Sequence, residues 1–212
     1  MASLPLTDLG GDTAADGRLR LAARRFRAFM DALDLDPADP HLAGTELRVA
    51  RAYREMFAGL APGAEPELRT FPNTERYAEM VRVTDIPFHS LCAHHFLPFF
   101  GTAHVAYLPR ERIVGLSKLA RVVEYYARRP QVQERMTEQI VELLDRRLRP
   151  AGVMVVVQAR HFCIEMRGIG RSGLATTTSA VRGAFDEPRR RREFLELLPR
   201  SGGSGPLHGS DV

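Results

Sequence analysis

The sequence predicts an α+β domain with a largely antiparallel sheet, and three observations carry that prediction. Apolar residues alternate with period two on both sides of a central region. That region has helical periodicity twice in succession, and two further helical stretches precede the first strand. A chain ordered as strands, helix pair, strands suits a sheet with helices on one face. The other face and the edges then need cover, which favours self-association.

Residues 1–17 and 200–212 are rich in Gly, Ser and Asp and are expected to be mobile ends. Within 18–75, an N-terminal helical segment, Leu19, Ala22, Phe26, Phe29, Met30 and Leu33 recur at helical spacing. The stretch DPADPHLAG then breaks the chain. Thr45 is placed to cap a second helix that runs to about Phe57 and ends by Gly59.

Residues 76–199 read as the main domain. Val81 and Val83, then Ala103, Val105 and Tyr107, alternate with polar neighbours as half-buried strands do. Gly115-Leu116-Ser117 opens a helix bearing Leu119, Val122, Val123 and Tyr126, which stops at Pro130. A second helix carries Val132, Met136, Ile140, Leu143, Leu144 and Leu148. GVMVVVQARHFCIEM and LATTTSAVRGAF return to strand character. Asp186-Glu187-Pro188 then starts a short last helix with a cap and an early proline.

The 212 residues are 44% apolar and 26% charged, a balance that can bury a real core. No apolar run is long enough for a bilayer, and the first residues lack the basic start and apolar centre of a secretory leader. The expected compartment is therefore the cytoplasm, with no membrane partner. Two cysteines in that setting are expected as thiols rather than as a disulfide. The net charge of +4 suits an anionic substrate or a nucleic acid, and equally the solvated surface of a basic protein.

Chemistry concentrates in two short stretches. Cys92 and His95, three positions apart, can aim at one point from a tight turn, with His94 pointing elsewhere. His161 and Cys163, two apart in a strand-like run, would share a sheet face. Cys92, His95 and Cys163 thus form a candidate Zn²⁺ site with a fourth position open to water, flanked by His94 and His161 as proton-transfer groups. The plain alternative is core: buried thiols are ordinary packing material and strand histidines are usually just hydrogen-bonded. A second Cys–His pair in a chain with only two cysteines favours the metal. Ser117, Lys118 (the sole lysine) and Arg121 at a helix start suit a polyphosphate, or are a solvated basic helix end. Gln133 and Glu134 open the next helix. A carboxylate there can accept the N1–H and 2-amino group of guanine, or simply favour the helix dipole.

SLCAHHF, GLSKLARVVEYYARRPQVQERMTEQI, HFC, MRGIG and ATTTSAVRG together resemble the GTP cyclohydrolase I family, from about Thr45 to Phe194. The resemblance implies the tunnelling fold: N-terminal helices, then a four-stranded antiparallel sheet with a helix pair inserted between strands 2 and 3. It also implies a homo-oligomer, typically a decameric ring, with active sites at subunit interfaces. The implied reaction is zinc-dependent hydrolysis of GTP at C8, imidazole ring opening, formate release and recyclisation to 7,8-dihydroneopterin triphosphate. By matched position, Cys92, His95 and Cys163 fall on zinc ligands, and His94 and His161 on the catalytic histidines. Ser117, Lys118, Arg121 and Arg167 fall on triphosphate contacts, with Ser117 also assisting the rearrangement, and Gln133 and Glu134 on the purine-recognition segment. Arg51 replaces a lysine that the family often uses near the triphosphate. The implied partners are GTP or a related purine nucleotide and further copies of the chain; no nucleic acid is expected.

The departures are local. Ala93 stands where the family usually has Glu, Gly170 where many members have Arg, and Leu174 where Ser is usual. The family's TPxR motif reads TELR at 45–48. A missing carboxylate beside the metal motivates a second reading. This is a divergent homologue that stops at a ring-opened or other C8-modified product, or takes another purine nucleotide. A more remote reading, a non-catalytic zinc or nucleic-acid-binding protein, rests on the run Arg189–Arg192, which no interleaved aromatics accompany.

Overall fold

The computed structural model of the chain describes residues 14–198. The expected mobile ends lie outside the described residues, except that residues 14–17 form the start of the first helix. Two compact units divide at Ala61/Pro62. The first contains α1 (Ala14–Ala32) and α2 (Thr45–Met56), which pack through Leu19, Ala23, Leu47 and Ala50. The buried stripe of α1 is narrower than its sequence suggests. Phe29 and Leu33 are 56% and 55% exposed, because within this unit one partner helix covers one face. Thr45 is not the cap: Gly44 holds that position at φ 73°, a left-handed turn that glycine adopts without a Cβ clash. The Thr45 hydroxyl instead accepts a hydrogen bond from the Arg48 guanidinium at 2.7 Å.

The second unit runs β1 (Thr70–Pro72), β2 (Val81–Cys92), β3 (Pro98–Leu108), β4 (Arg112–Val114), α3 (Leu116–Ala127) and β5 (Pro130–Gln131). It continues with α4 (Gln133–Leu148), β6 (Gly152–His161), α5 (Phe162–Glu165), β7 (Ala175–Gly183) and α6 (Pro188–Glu196). The long strands form the antiparallel order β2-β3-β6-β7, with the helix pair α3/α4 between β3 and β6 in sequence, as expected. Two-residue β5 adds in parallel to the end of β2, pairing Leu91 with Pro130 and Cys92 with Gln131. β1 pairs with β4 in a separate ribbon. That ribbon and the ion pair between Arg147 and Glu65 tie residues 62–75 to this unit, although sequence placed the boundary at 75/76.

One sheet face buries Val105 and Tyr107 of β3 and Val153, Val155 and Val157 of β6. They pack against Leu119, Val122 and Val123 of α3 and Met136, Ile140 and Leu144 of α4. Each such aliphatic side chain removed from water contributes roughly 1.5–3 kcal/mol. The opposite face packs Ala106, Leu108, Met154 and Val156 against Phe185 and Phe194. Phe194 lies on α6, which opens with its early proline but without a side-chain cap hydrogen bond. Among the described residues no helix is long and apolar enough to cross a membrane.

Strand direction fixes what lies at each end of the sheet. Phe99 pairs with His161 and Leu108 with Gly152, so Cys92, His161 and the start of β7 share one end. Helix α3 starts at the other end, where the Val114 N–H donates to the Tyr107 hydroxyl, and finishes beside β5 and Cys92. At 1.5 Å per residue it spans about 18 Å.

The strand read through Cys163 is corrected: β6 stops at His161, and Phe162–Glu165 is a helical turn. The last ladder position on β3 is Phe99, and the residue beyond it is Pro98, which has no N–H to offer. With no partner left, the chain turns out of the sheet. His161 and Cys163 therefore do not share a face by alternation.

Candidate active site

Cys92 ends β2, buried, and the chain reverses at once. Its carbonyl accepts the N–H of His95 (3.3 Å) and of Phe96 (2.8 Å), and its own N–H donates to the Leu97 carbonyl at 2.9 Å. The turn is braced sideways, since the Ala93 N–H donates to the Gln131 carbonyl at 2.8 Å. Gln131 is itself 1% exposed and held by both helices. Its amide donates to the Tyr126 carbonyl and to Gln139 Oε1, each at 2.9 Å, and its Oε1 accepts from Arg135 Nε at 3.0 Å. The hydrogen-bonding needs of one buried side chain thus fix the backbone that carries Cys92.

Cys163 rides on α5. Cys92 Sγ, a ring nitrogen of His95 and Cys163 Sγ all lie within 4.8 Å of one another. Neither thiol is in a disulfide. His95 Nδ1 is 3.9 Å from Cys92 Sγ and His94 Nδ1 only 3.7 Å, with the two rings edge-on at 6.2 Å. His94 therefore does not point elsewhere; the reversal is tight enough to keep both imidazoles beside the sulfur. Burial, and then the adjacent Cys92, push the Cys163 thiol up, while the positive charge of Arg167 opposes them. A soft dication that binds both sulfurs as thiolates would offset that resistance at Cys163. Two sulfurs and one imidazole suit a tetrahedral ion with one position left open.

His161 is set by packing and by one amide. Its ring lies flat on Phe99, centroids 4.7 Å apart and planes within 2°. Its Nε2 is 2.7 Å from Gln133 Oε1. The Gln133 amide nitrogen donates to the carbonyls of Val157 and Thr176, both at 3.0 Å, and to Thr178 Oγ1 at 3.2 Å. Carbonyls only accept, so the amide orientation is determined and His161 must donate from Nε2. In the neutral ring Nδ1 then carries the lone pair. Burial pushes the His161 pKa down, and nearby Glu134 partly offsets it.

Of the residues singled out from sequence, Cys92, His94, His95, Gln133, Glu134, His161, Cys163 and Arg167 meet at one end of the sheet. Gln133, expected to meet a base, is 2% exposed with its amide engaged internally, whereas Glu134 is exposed. Ser117 and Lys118 lie in the first turn of α3, at the far end of that helix from Cys92, and Arg121 lies near its middle. Arg51 lies on α2 in the first unit. Phe99, Gln131 and the pair Arg160–Glu165 were not anticipated. The nearest signal for Phe99 was its place beside an alternating strand, but its stack depends on a register that sequence alone does not fix.

The GTP cyclohydrolase I family model matches residues 22–199. A GTP cyclohydrolase 1 of Pelotomaculum thermopropionicum is 51% identical over 163 residues, covering 76% of this chain and 86% of its own. One of Mycolicibacterium vanbaalenii is 51% identical over 182 residues, covering 84% and 90%. Among solved structures, the archaeosine synthase QueF-Like in the apo form overlaps with a TM-score of 0.40 at 20% identity, over 50% of this chain and 94% of its own. With the family model spanning most of both units and the matched relatives covered almost end to end, this chain belongs to the GTP cyclohydrolase I family.

Proposed function

We propose that the chain is a zinc-dependent GTP cyclohydrolase I. It hydrolyses GTP at C8, opens the imidazole ring, releases formate and recloses the product as 7,8-dihydroneopterin triphosphate. The observation that carries this reading is the convergence of Cys92, His95 and Cys163 beside two histidines in a chain of this family. Those three residues would hold Zn²⁺, which when bound lowers the pKa of a coordinated water so that hydroxide is available near neutral pH. His161, kept neutral by burial and donating from Nε2 to Gln133, takes up a proton at Nδ1. His94, exposed beside the same sulfur, delivers a proton to the purine N7. Glu134 accepts the guanine N1–H and 2-amino group. Gln133 serves His161 rather than the base.

Ser117, Lys118, Arg121 and Arg167 bind the triphosphate, and Ser117 assists the rearrangement. The first three lie on the helix that ends beside Cys92, about 15, 13.5 and 9 Å along its axis from its last residue, Ala127. That separation supports a site shared between copies, in a homo-oligomer such as a decameric ring. Two unbridged cysteines suit a reducing cytoplasm. Ala93, half-buried with no carboxylate to offer the metal turn, favours the second reading of a homologue that stops early or takes another purine nucleotide.

The test is to incubate the zinc-loaded protein with GTP and with other purine nucleotides. Products are followed as formate, as oxidised neopterin fluorescence and by mass. Formate and the pterin from GTP are expected. A ring-opened product without formate rejects the first reading for the second, and a fully loaded protein that turns over no purine nucleotide rejects both.

A further inference from the structure

We propose that Arg160 and Glu165 are positioning residues that staple α5 in place and thereby set how long Cys163 holds the metal. The inference rests on the zinc reading of Cys92, His95 and Cys163. Helix α5 has four residues and touches the apolar core only through partly buried Cys163, so its own hydrogen bonds and core packing hold it weakly. What fixes it is a link from residue 160 to residue 165 that spans both His161 and Cys163.

The Glu165 side chain is only 7% exposed, and both its oxygens are taken by one guanidinium. Arg160 Nε donates to Oε1 at 2.9 Å and a terminal nitrogen to Oε2 at 2.6 Å, the bidentate geometry that makes such a pair directional. Arg160, and more weakly the Gly173 backbone, hold the Glu165 pKa down. Arg160 can serve as the anchor because the ladder holds it on both sides, against Phe100 of β3 and Ala175 of β7. Its guanidinium also lies over the Phe100 ring at 6.0 Å, and Phe100 meets Phe162 edge-on at 5.4 Å. The residue before Cys163 is therefore gripped as well.

An exposed ion pair contributes little, and Arg160 is 42% exposed. This pair differs in that its carboxylate is nearly enclosed and both its oxygens accept from one guanidinium. It also lies outside the apolar core, so breaking it loosens the Cys163 turn without unpacking the sheet. Cys92 is held by the ladder and its turn by the Ala93–Gln131 bond, whereas Cys163 lies beyond the last ladder pair of β6.

The variants Arg160→Gln and Glu165→Gln, and the exchange Arg160→Glu with Glu165→Arg, test the staple in the full-length protein. Zinc transfer to a chromogenic chelator should be faster by about tenfold or more in each single variant, the scale on which groups that orient metal ligands act. The cobalt-substituted single variants should lose intensity in the thiolate-to-metal charge-transfer band, and the Tm of the metal-free protein should stay at the wild-type value. The exchange should restore most of the slow release. Wild-type release rates and cobalt spectra in the single variants overturn the inference, as does a loss of metal-free Tm that accounts for the faster release, or an exchange that rescues nothing. A wild-type chain that takes up no metal overturns the zinc reading together with the inference.

Discussion

His104 sits buried in the sheet, where its Nδ1 accepts the Asp85 N–H at 3.1 Å, at the bulge where Asp85 has φ 55°. Burial pushes its pKa down against the pull of Asp85. The unfolded chain therefore binds this proton more readily than the folded one. The stability it contributes is complete above the ordinary histidine value of about 6.5 and is lost as pH falls toward the folded value. His104→Asn keeps an acceptor for Asp85 and removes the titration. Urea unfolding followed from about pH 7.5 to about pH 5 should then lose stability less steeply than wild type. His161 shifts in the same direction, so the slope shrinks without vanishing, and an unchanged slope contradicts the assignment. Residue types explain what was legible at this scale. Cysteine and histidine announce their chemistry, so two Cys–His pairs in a chain with two cysteines pointed to the metal end. Gln133 announced nothing, because a helix-start glutamine and a strand-end histidine 28 positions apart meet only through the packing of α4 on β6 and β7.

At the level of elements, β3 and β6 approach closely at Gly101. A Cβ there would lie 1.9 Å from the Gln158 carbonyl oxygen and 2.8 Å from Ala159 Cα. Backbone atoms in a ladder cannot step aside as a side-chain tip can. Gly101→Ala must therefore push β6 away just before His161, costing about 1–3 kcal/mol or more. It should lower the urea midpoint and slow turnover together, since the Phe99–His161 stack sits on the same pair of strands. Wild-type stability in this variant would falsify the close-approach account. Periodicity located α3, α4 and the long strands because each is long enough to repeat its pattern. β5, with two residues, and β1 and β4, with three each, are too short for any period to register. Helix α5 was hidden for another reason. Alternation continues through Phe162 and Ile164, while the strand that would have paired with them ends at Pro98.

For the whole molecule, one chain places the candidate metal ligands beside the last turn of α3 and Lys118 in its first turn, about 13.5 Å apart along the axis at 1.5 Å per residue. Under the proposed roles, a single GTP is served more readily when a second copy supplies one of the two ends. The sheet edges also do not close within a chain. In the described residues β7 pairs only with β6, and β2 meets only two-residue β5 on its outer side, so both present backbone donors and acceptors to a neighbour. The proposed ring rests on family resemblance, because no pattern within one sequence encodes which copy supplies which half of a site. The consequence can be measured by mixing two crippled chains. Cys92→Ser removes a metal ligand and leaves Lys118 in place, whereas Lys118→Ala removes the triphosphate cation and leaves the ligands intact. Each homogeneous variant should be nearly inactive with GTP. Co-expressed in equal amounts, random assembly pairs an intact metal end with an intact phosphate end at about a quarter of the interfaces, and formate release should return toward that fraction of wild type. If every site were built from a single chain, each would carry one defect or the other, and the mixture would stay as inactive as its parents.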